Sequence, residues 1–103
     1  MLSTKETDQY QRHLSLPGFG VEGQLKLKKS SVLVIGAGGL GCPVLQYLVA
    51  AGVGKIGIVD DDLVDISNLQ RQVLFNHNDI GNSKAKVAKL KLSLLNPNIE
   101  IID

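Results

Sequence analysis

Residues Gly36-Ala37-Gly38-Gly39-Leu40-Gly41 carry the spacing G-x-G-x-x-G, with Gly39 as an extra glycine. At that spacing Gly36 permits a tight turn, Gly38 and Gly39 let backbone approach a phosphate, and Gly41 allows close helix–strand packing. A helix opening there adds unpaired N–H groups and a partial positive charge, which favour an anion. Asp60 follows Gly41 by 19 residues, the place of an acid that hydrogen-bonds a ribose. Asn68, Arg71 and Lys84 come next. A dinucleotide site wants few cations there, whereas an enzyme handling a triphosphate needs fixed donors to meet the charge that builds on phosphate. Arg71 offers a planar fork and Lys84 a point charge. Lys84 falls in the first turn of a helix, where a cation opposes the macrodipole, and a ligand phosphate would explain the placement. The competing reading of Lys84 is a solvated lysine, as Lys86, Lys89 and Lys91 read.

Other reactive residues read more plainly. Cys42 stands near a helix N-terminus, which can lower a thiol pKa, but its wholly apolar neighbours mark it as a small packed residue. His13 and His77 have no ligand set nearby and read as surface or capping residues. Asp60, Asp61 and Asp62 are consecutive at a strand end and should point to alternate faces, so they are not expected to converge on one metal ion. Asp60 reads as functional. Asp61 and Asp62 read as solvated or capping, with Asp62 able to help hold Mg2+ if the turn allows.

Residues 31–35 (SVLVI) form a β-branched run with no alternation, expected to be a central parallel strand buried on both faces. Residues 39–51 read as a helix, apolar all round apart from Gln46 and the Tyr47 hydroxyl, that needs cover on more than one side. Gly52 should stop it. Residues 55–60 are a second strand, and Ser67 or Asn68 can cap a short turn. Residues 83–95 are an amphipathic helix with Ala85, Ala88, Leu92 and Leu95 on its apolar stripe. Asn96-Pro97 ends it, and residues 99–102 are a third strand. Ahead of these, Ser3 or Thr4 can cap a helix to about His13, and residues 21–29 read as a short helix weakened by Gly23. The expected organisation is a helical arm over residues 1–30 and an α/β unit over residues 31–103. That unit is the first βαβαβ half of a Rossmann-like, doubly wound parallel sheet. Right-handed crossovers place the first strand beside the second and the second beside the third, leaving the first with an apolar edge.

Composition bounds the rest. A chain of 103 residues holds one domain at most, and its net charge of +1 argues against bulk capture of nucleic acid or an anionic membrane. One cysteine excludes an internal disulfide and a cysteine-only metal cage. No apolar run approaches the roughly 18 residues of a membrane span, so a cytoplasmic location is expected by default.

Ser67-Asn68-Leu69-Gln70-Arg71-Gln72 after Val59-Asp60-Asp61-Asp62 resembles a signature of the ubiquitin-activating-like superfamily, in its bacterial ThiF/MoeB/HesA branch. Tyr10-Gln11-Arg12, Gly23-Gln24, the GAGGLG loop, Ala51-Gly52-Val53-Gly54, Gly81-Asn82-Ser83-Lys84 and Leu95-Asn96-Pro97 resemble the same family in the same order. The resemblance implies an adenylyltransferase that uses Mg2+ and ATP. Its substrate would be the C-terminal glycine of a small ubiquitin-like sulfur-carrier protein of thiamine or molybdenum-cofactor biosynthesis. It places Gly36, Gly38, Gly39 and Gly41 against the nucleotide and Asp60 on the ribose. Asn68, Arg71 and Lys84 would hold the phosphates, and Arg12 would reach into the partner subunit of a homodimer. The family's Mg2+-binding aspartate, zinc-binding Cys-x-x-Cys pairs and later cysteine have no counterpart among these residues. The sequence is therefore expected to be the N-terminal part of such an enzyme, with little turnover by itself. Rival readings are an NAD-dependent Rossmann oxidoreductase and a non-catalytic nucleotide-binding or dimerisation fragment.

Overall fold

A computed structural model describes residues 1–103. Three short helices lead: α1 (Thr4–Gln9), α2 (Gln11–Leu14) and α3 (Gly20–Lys29). Ser3 caps α1, its hydroxyl accepting the Glu6 N–H while the Glu6 carboxylate accepts the Ser3 N–H. The single helix expected to about His13 is broken at Tyr10, which leaves helical geometry. Gly23 lets α3 pack tightly: a Cβ there would stand 2.5 Å from the Phe19 ring.

The α/β part alternates β1 (Ser31–Ile35), α4 (Gly41–Ala51), β2 (Lys55–Val59), α5 (Lys84–Leu95) and β3 (Glu100–Ile102). The strands are parallel in the order β1-β2-β3, the order expected of successive right-handed crossovers. This is the expected α/β, Rossmann-like architecture. Gly52 ends α4 in a left-handed conformation at φ 94°, and the Ser83 hydroxyl caps α5.

The core lies between the sheet and one layer of helices. Ile56, Ile58 and Ile101 on the sheet meet Leu45 and Val49 of α4 and Ala88 and Leu92 of α5. Successive β-α-β units wound in one sense put both helices on the same face. Strand β1 is therefore not buried on both faces as its composition suggests. Leu33, Ile35, Val59 and Ile102 are exposed on the opposite face, and β1 is also an edge. The apolar girth of α4 is likewise covered on one side, with Val44 and Tyr47 exposed. Leu95, expected on the buried stripe of α5, is exposed as well.

The leading helices are fastened to the α/β part by buried polar groups. Asn96 Nδ2 donates to the Tyr10 hydroxyl and to the Val49 carbonyl, each at 2.8 Å. Gln24 Nε2 donates to the Ala51 carbonyl at 2.9 Å, and its Oε1 accepts from His13 Nδ1 at 3.0 Å. Half-buried in this network, His13 is a latch residue rather than a surface or capping one. No helix is long and apolar enough to cross a membrane.

Candidate nucleotide-binding site

Loop geometry at the end of β1 follows from its glycines. Gly36 turns the chain at φ 97°, a conformation that L-residues with a side chain rarely adopt. A Cβ on Gly41 would stand 1.8 Å from the Gly36 carbonyl oxygen, so the two ends of the loop touch without room for a methyl group. Helix α4 starts at Gly41, with Leu40 as a cap residue that supplies no side-chain acceptor. The backbone N–H groups of Gly38, Gly39, Leu40 and Gly41 donate to no protein acceptor: the last two belong to the uncapped start of α4 and the first two to the loop before it.

Asp60 ties this loop to β2. Its Oδ2 accepts the Ala37 N–H at 2.7 Å and its Oδ1 accepts the Asp62 N–H at 2.8 Å. The Asp62 carbonyl in turn accepts the Lys84 N–H at 3.0 Å, joining the end of β2 to the start of α5. The carboxylates of Asp60, Asp61 and Asp62 do converge: one oxygen from each lies within 4.8 Å of the others. The alternation expected of a strand end fails because β2 stops at Val59 and the acids follow a turn. Two of the Asp60 lone pairs are spent on the backbone, so this is in the first place a loop clamp.

The cationic side chains arrive from the segment after the acids. A single 3-10 turn, Ile66–Asn68, is capped by Asp65 and not by Ser67 or Asn68 as expected. Asn68 Oδ1 accepts the Asp65 N–H at 2.9 Å, which leaves its amide NH2 to donate elsewhere. Arg71 lies across the loop: its Nε is 3.2 Å from where a Cβ on Gly39 would stand. Lys84 is 5% exposed and has no carboxylate within salt-bridge distance. It is thus not a solvated helix-face lysine. Its stem is buried while its ammonium keeps some solvent contact and acts on the Asp65 carboxylate only at a distance, so an anionic ligand can still take it as a partner.

The structure so brings together Gly36, Gly38, Gly39, Gly41, Asp60, Asp62, Asn68, Arg71 and Lys84 at the C-terminal ends of β1 and β2, the usual ligand edge of an open α/β sheet. Arg12 is not among them. It is exposed on α2, whose neighbours Tyr10 and His13 are latched to the C-terminal end of α4. The loop is at the other end of that 11-residue helix, about 16 Å away.

Cys42 is fully buried, its Sγ donating to the Ala37 carbonyl at 3.1 Å. Burial pushes its thiol pKa up, outweighing the nearby Lys84 charge. This lone, sealed thiol does not fit a zinc site, which needs several converging nitrogen or sulfur ligands. Gln72 closes the signature stretch that begins at Ser67 but is given no role by the sequence, although it is 2% exposed and faces the loop.

Fold and site together define a nucleotide-type α/β unit with a glycine loop, an acid clamp and fixed cations. Residues 10–103 match the ThiF family, and the chain belongs to it. It is 56% identical over 103 residues to a probable molybdopterin-synthase adenylyltransferase of Porphyra purpurea, covering 98% of this chain and 27% of that protein. It is 56% identical over 97 residues to a sulfur carrier protein adenylyltransferase of Thermus thermophilus, covering 94% of this chain and 36% of that one. The crystal structure of E. coli MccB with ATP superposes at a TM-score of 0.86 with 35% identity, over 97% of this chain and 31% of MccB. The chain thus spans about a quarter to a third of the length of these relatives.

Proposed function

We propose that this chain supplies the nucleotide-holding part of an adenylation site. The group adenylylated there is the C-terminal glycine carboxylate of a small ubiquitin-like sulfur-carrier protein. The observation that carries this reading is Lys84, 5% exposed and in no salt bridge, near a loop whose four successive N–H groups are free. Relatives named as sulfur carrier and molybdopterin-synthase adenylyltransferases, and a relative solved with ATP, support the reaction class.

In this mechanism a carboxylate oxygen of the carrier attacks the α-phosphorus of ATP. The bond from that phosphorus to the bridging oxygen breaks, giving an acyl-adenylate and pyrophosphate. Such a displacement needs positioning and charge neutralisation more than a protein nucleophile. Gly36, Gly38, Gly39 and Gly41 let the loop N–H groups meet phosphate oxygens. Asp60 keeps lone pairs for ribose hydroxyls while clamping the loop. The Asn68 amide, the Arg71 guanidinium and the Lys84 ammonium hold the phosphates as negative charge shifts to pyrophosphate. Asp62 offers the hard carboxylate oxygen that Mg2+ takes. Bound with ATP, Mg2+ would neutralise phosphate charge.

Arg12 lies too far from its own loop and acts on the phosphates of a second copy in a homodimer. The division of labour is then a helical arm over residues 1–30 that serves the partner and an α/β unit over residues 31–103 that holds the nucleotide. The test is ATP titration of the chain, with NAD in parallel. ATP binds, and Lys84→Met weakens it at least tenfold. Binding of NAD in preference to ATP overturns the reading.

A further inference from the structure

Gln72 is nine-tenths buried and more, yet its Oε1 has no hydrogen-bond partner. Its Nε2 is 3.6 Å from where a Cβ on Gly38 would stand, and no other heavy atom outside the adjacent residues comes within 4 Å of that point. The amide therefore stands next to Gly38, which with Gly36 is one of the two loop glycines where an added Cβ would meet no close contact. The segment that carries it is held firmly. Gln72 N donates to the Asn68 carbonyl at 2.8 Å, and Leu74 and Phe75 are buried in the core just beyond.

A buried amide with an orphan acceptor is unfavourable, and a methionine or leucine of similar size would pack there without that cost. The orientation accounts for the orphan. With the NH2 turned to the loop, the oxygen must face the core. The flipped amide would bury two donors and present oxygen to whatever enters the loop, which is right for a cation and wrong for a phosphate. We infer that Gln72 is an unassigned ligand-binding residue: its Nε2 donates, past Gly38, to a phosphate oxygen of the bound nucleoside triphosphate. The inference rests on the nucleotide reading above and adds a neutral donor to the charged ones. A fixed neutral donor orients a phosphate oxygen without adding another cation beside Lys84 and Arg71.

Gln72→Met keeps the volume and removes both polar ends. ATP titration of the wild-type chain and the variant, with the thermal midpoint of each free protein, tests the role. The expected result is an ATP affinity about tenfold weaker, the loss of one hydrogen bond to a charged group, with a midpoint at or above that of the wild type. An affinity within twofold of wild type overturns the role while leaving the nucleotide reading intact. A weaker affinity accompanied by a midpoint several degrees lower makes Gln72 a packing residue and also overturns it. Failure of the wild-type chain to bind ATP removes the nucleotide reading itself, and this role with it.

Discussion

The Asp60 carboxylate accepts the Ala37 N–H at 2.7 Å, so the acid after β2 holds the glycine loop that follows β1. Ala37 is fully buried, and without Asp60 its N–H has no acceptor. Asp60→Ala should cost about 1–3 kcal/mol of stability, the penalty for a buried unsatisfied donor. It should weaken ATP at least tenfold. Asp60→Asn keeps one carbonyl oxygen and should fall between. Urea unfolding and ATP titration measure the two effects, and an unchanged urea midpoint in Asp60→Ala would show that the clamp holds nothing.

Two glycines three positions apart separate folding from binding. At Gly41 a methyl group would stand 1.8 Å from the Gly36 carbonyl oxygen, so backbone must move. At Gly38 it would meet Gln72 Nε2 at 3.6 Å, an ordinary contact. Gly41→Ala should lose about 3 kcal/mol or more and unfold early on heating. Gly38→Ala should keep its stability within about 0.5 kcal/mol while losing ATP affinity, because the methyl group takes the phosphate's approach. Equal thermal midpoints for the two variants would contradict this division.

Arg12 and Lys84 should differ in the same way between one copy and two. The latch from Asn96 to Tyr10 keeps the segment carrying Arg12 at the far end of α4 from the loop. In dilute solution, where any dimer dissociates, Arg12→Ala should leave ATP affinity within twofold of wild type. Arg71→Ala and Lys84→Met should weaken it tenfold or more. A tenfold loss in Arg12→Ala under those conditions would place the arginine at its own loop.

The sequence shows the glycine loop and the acid after β2 because local spacing sets them, and the parallel strand order because each crossover carries a helix and has one favoured hand. Burial departs from the sequence expectation where it depends on the second face of the sheet. SVLVI has the composition of a doubly covered strand, but both crossover helices go to one side and leave Leu33 and Ile35 bare. The convergence of Asp60 to Asp62 departs from the alternation expected of a strand over residues 55–60, because β2 ends at Val59, where its apolar run ends, and all three acids lie beyond it. Asn96 and Gln72 fall inside stretches that carry the family resemblance, but nothing in those stretches says what either amide touches. A polar residue before proline reads as a helix stop, and nothing local says that its amide reaches back 86 residues to Tyr10.

Acid should loosen the arm and the turn before α5 first. Burial pushes the Glu6 carboxyl pKa up, but the Ser3 N–H and the Lys28 ammonium at 2.9 Å outweigh it and hold it below its ordinary value. Burial also raises Asp79, and there Lys91 and the Asn76 N–H outweigh it. A carboxyl lowered by folding binds its proton more readily in the unfolded chain. Its stabilisation is therefore complete above the unfolded value, about pH 4, and is lost as pH falls through the lower folded value. Urea midpoints should hold from pH 7 to about pH 5 with respect to these groups and decline below about pH 4. Lys28→Met should start about 1 kcal/mol lower at pH 7, since a nearly buried carboxylate loses its cation while keeping the Ser3 donors. It should then decline less steeply in acid, because the Glu6 pKa returns toward its ordinary value. Parallel acid limbs for Lys28→Met and the wild type would show that Lys28 does not set the Glu6 proton affinity.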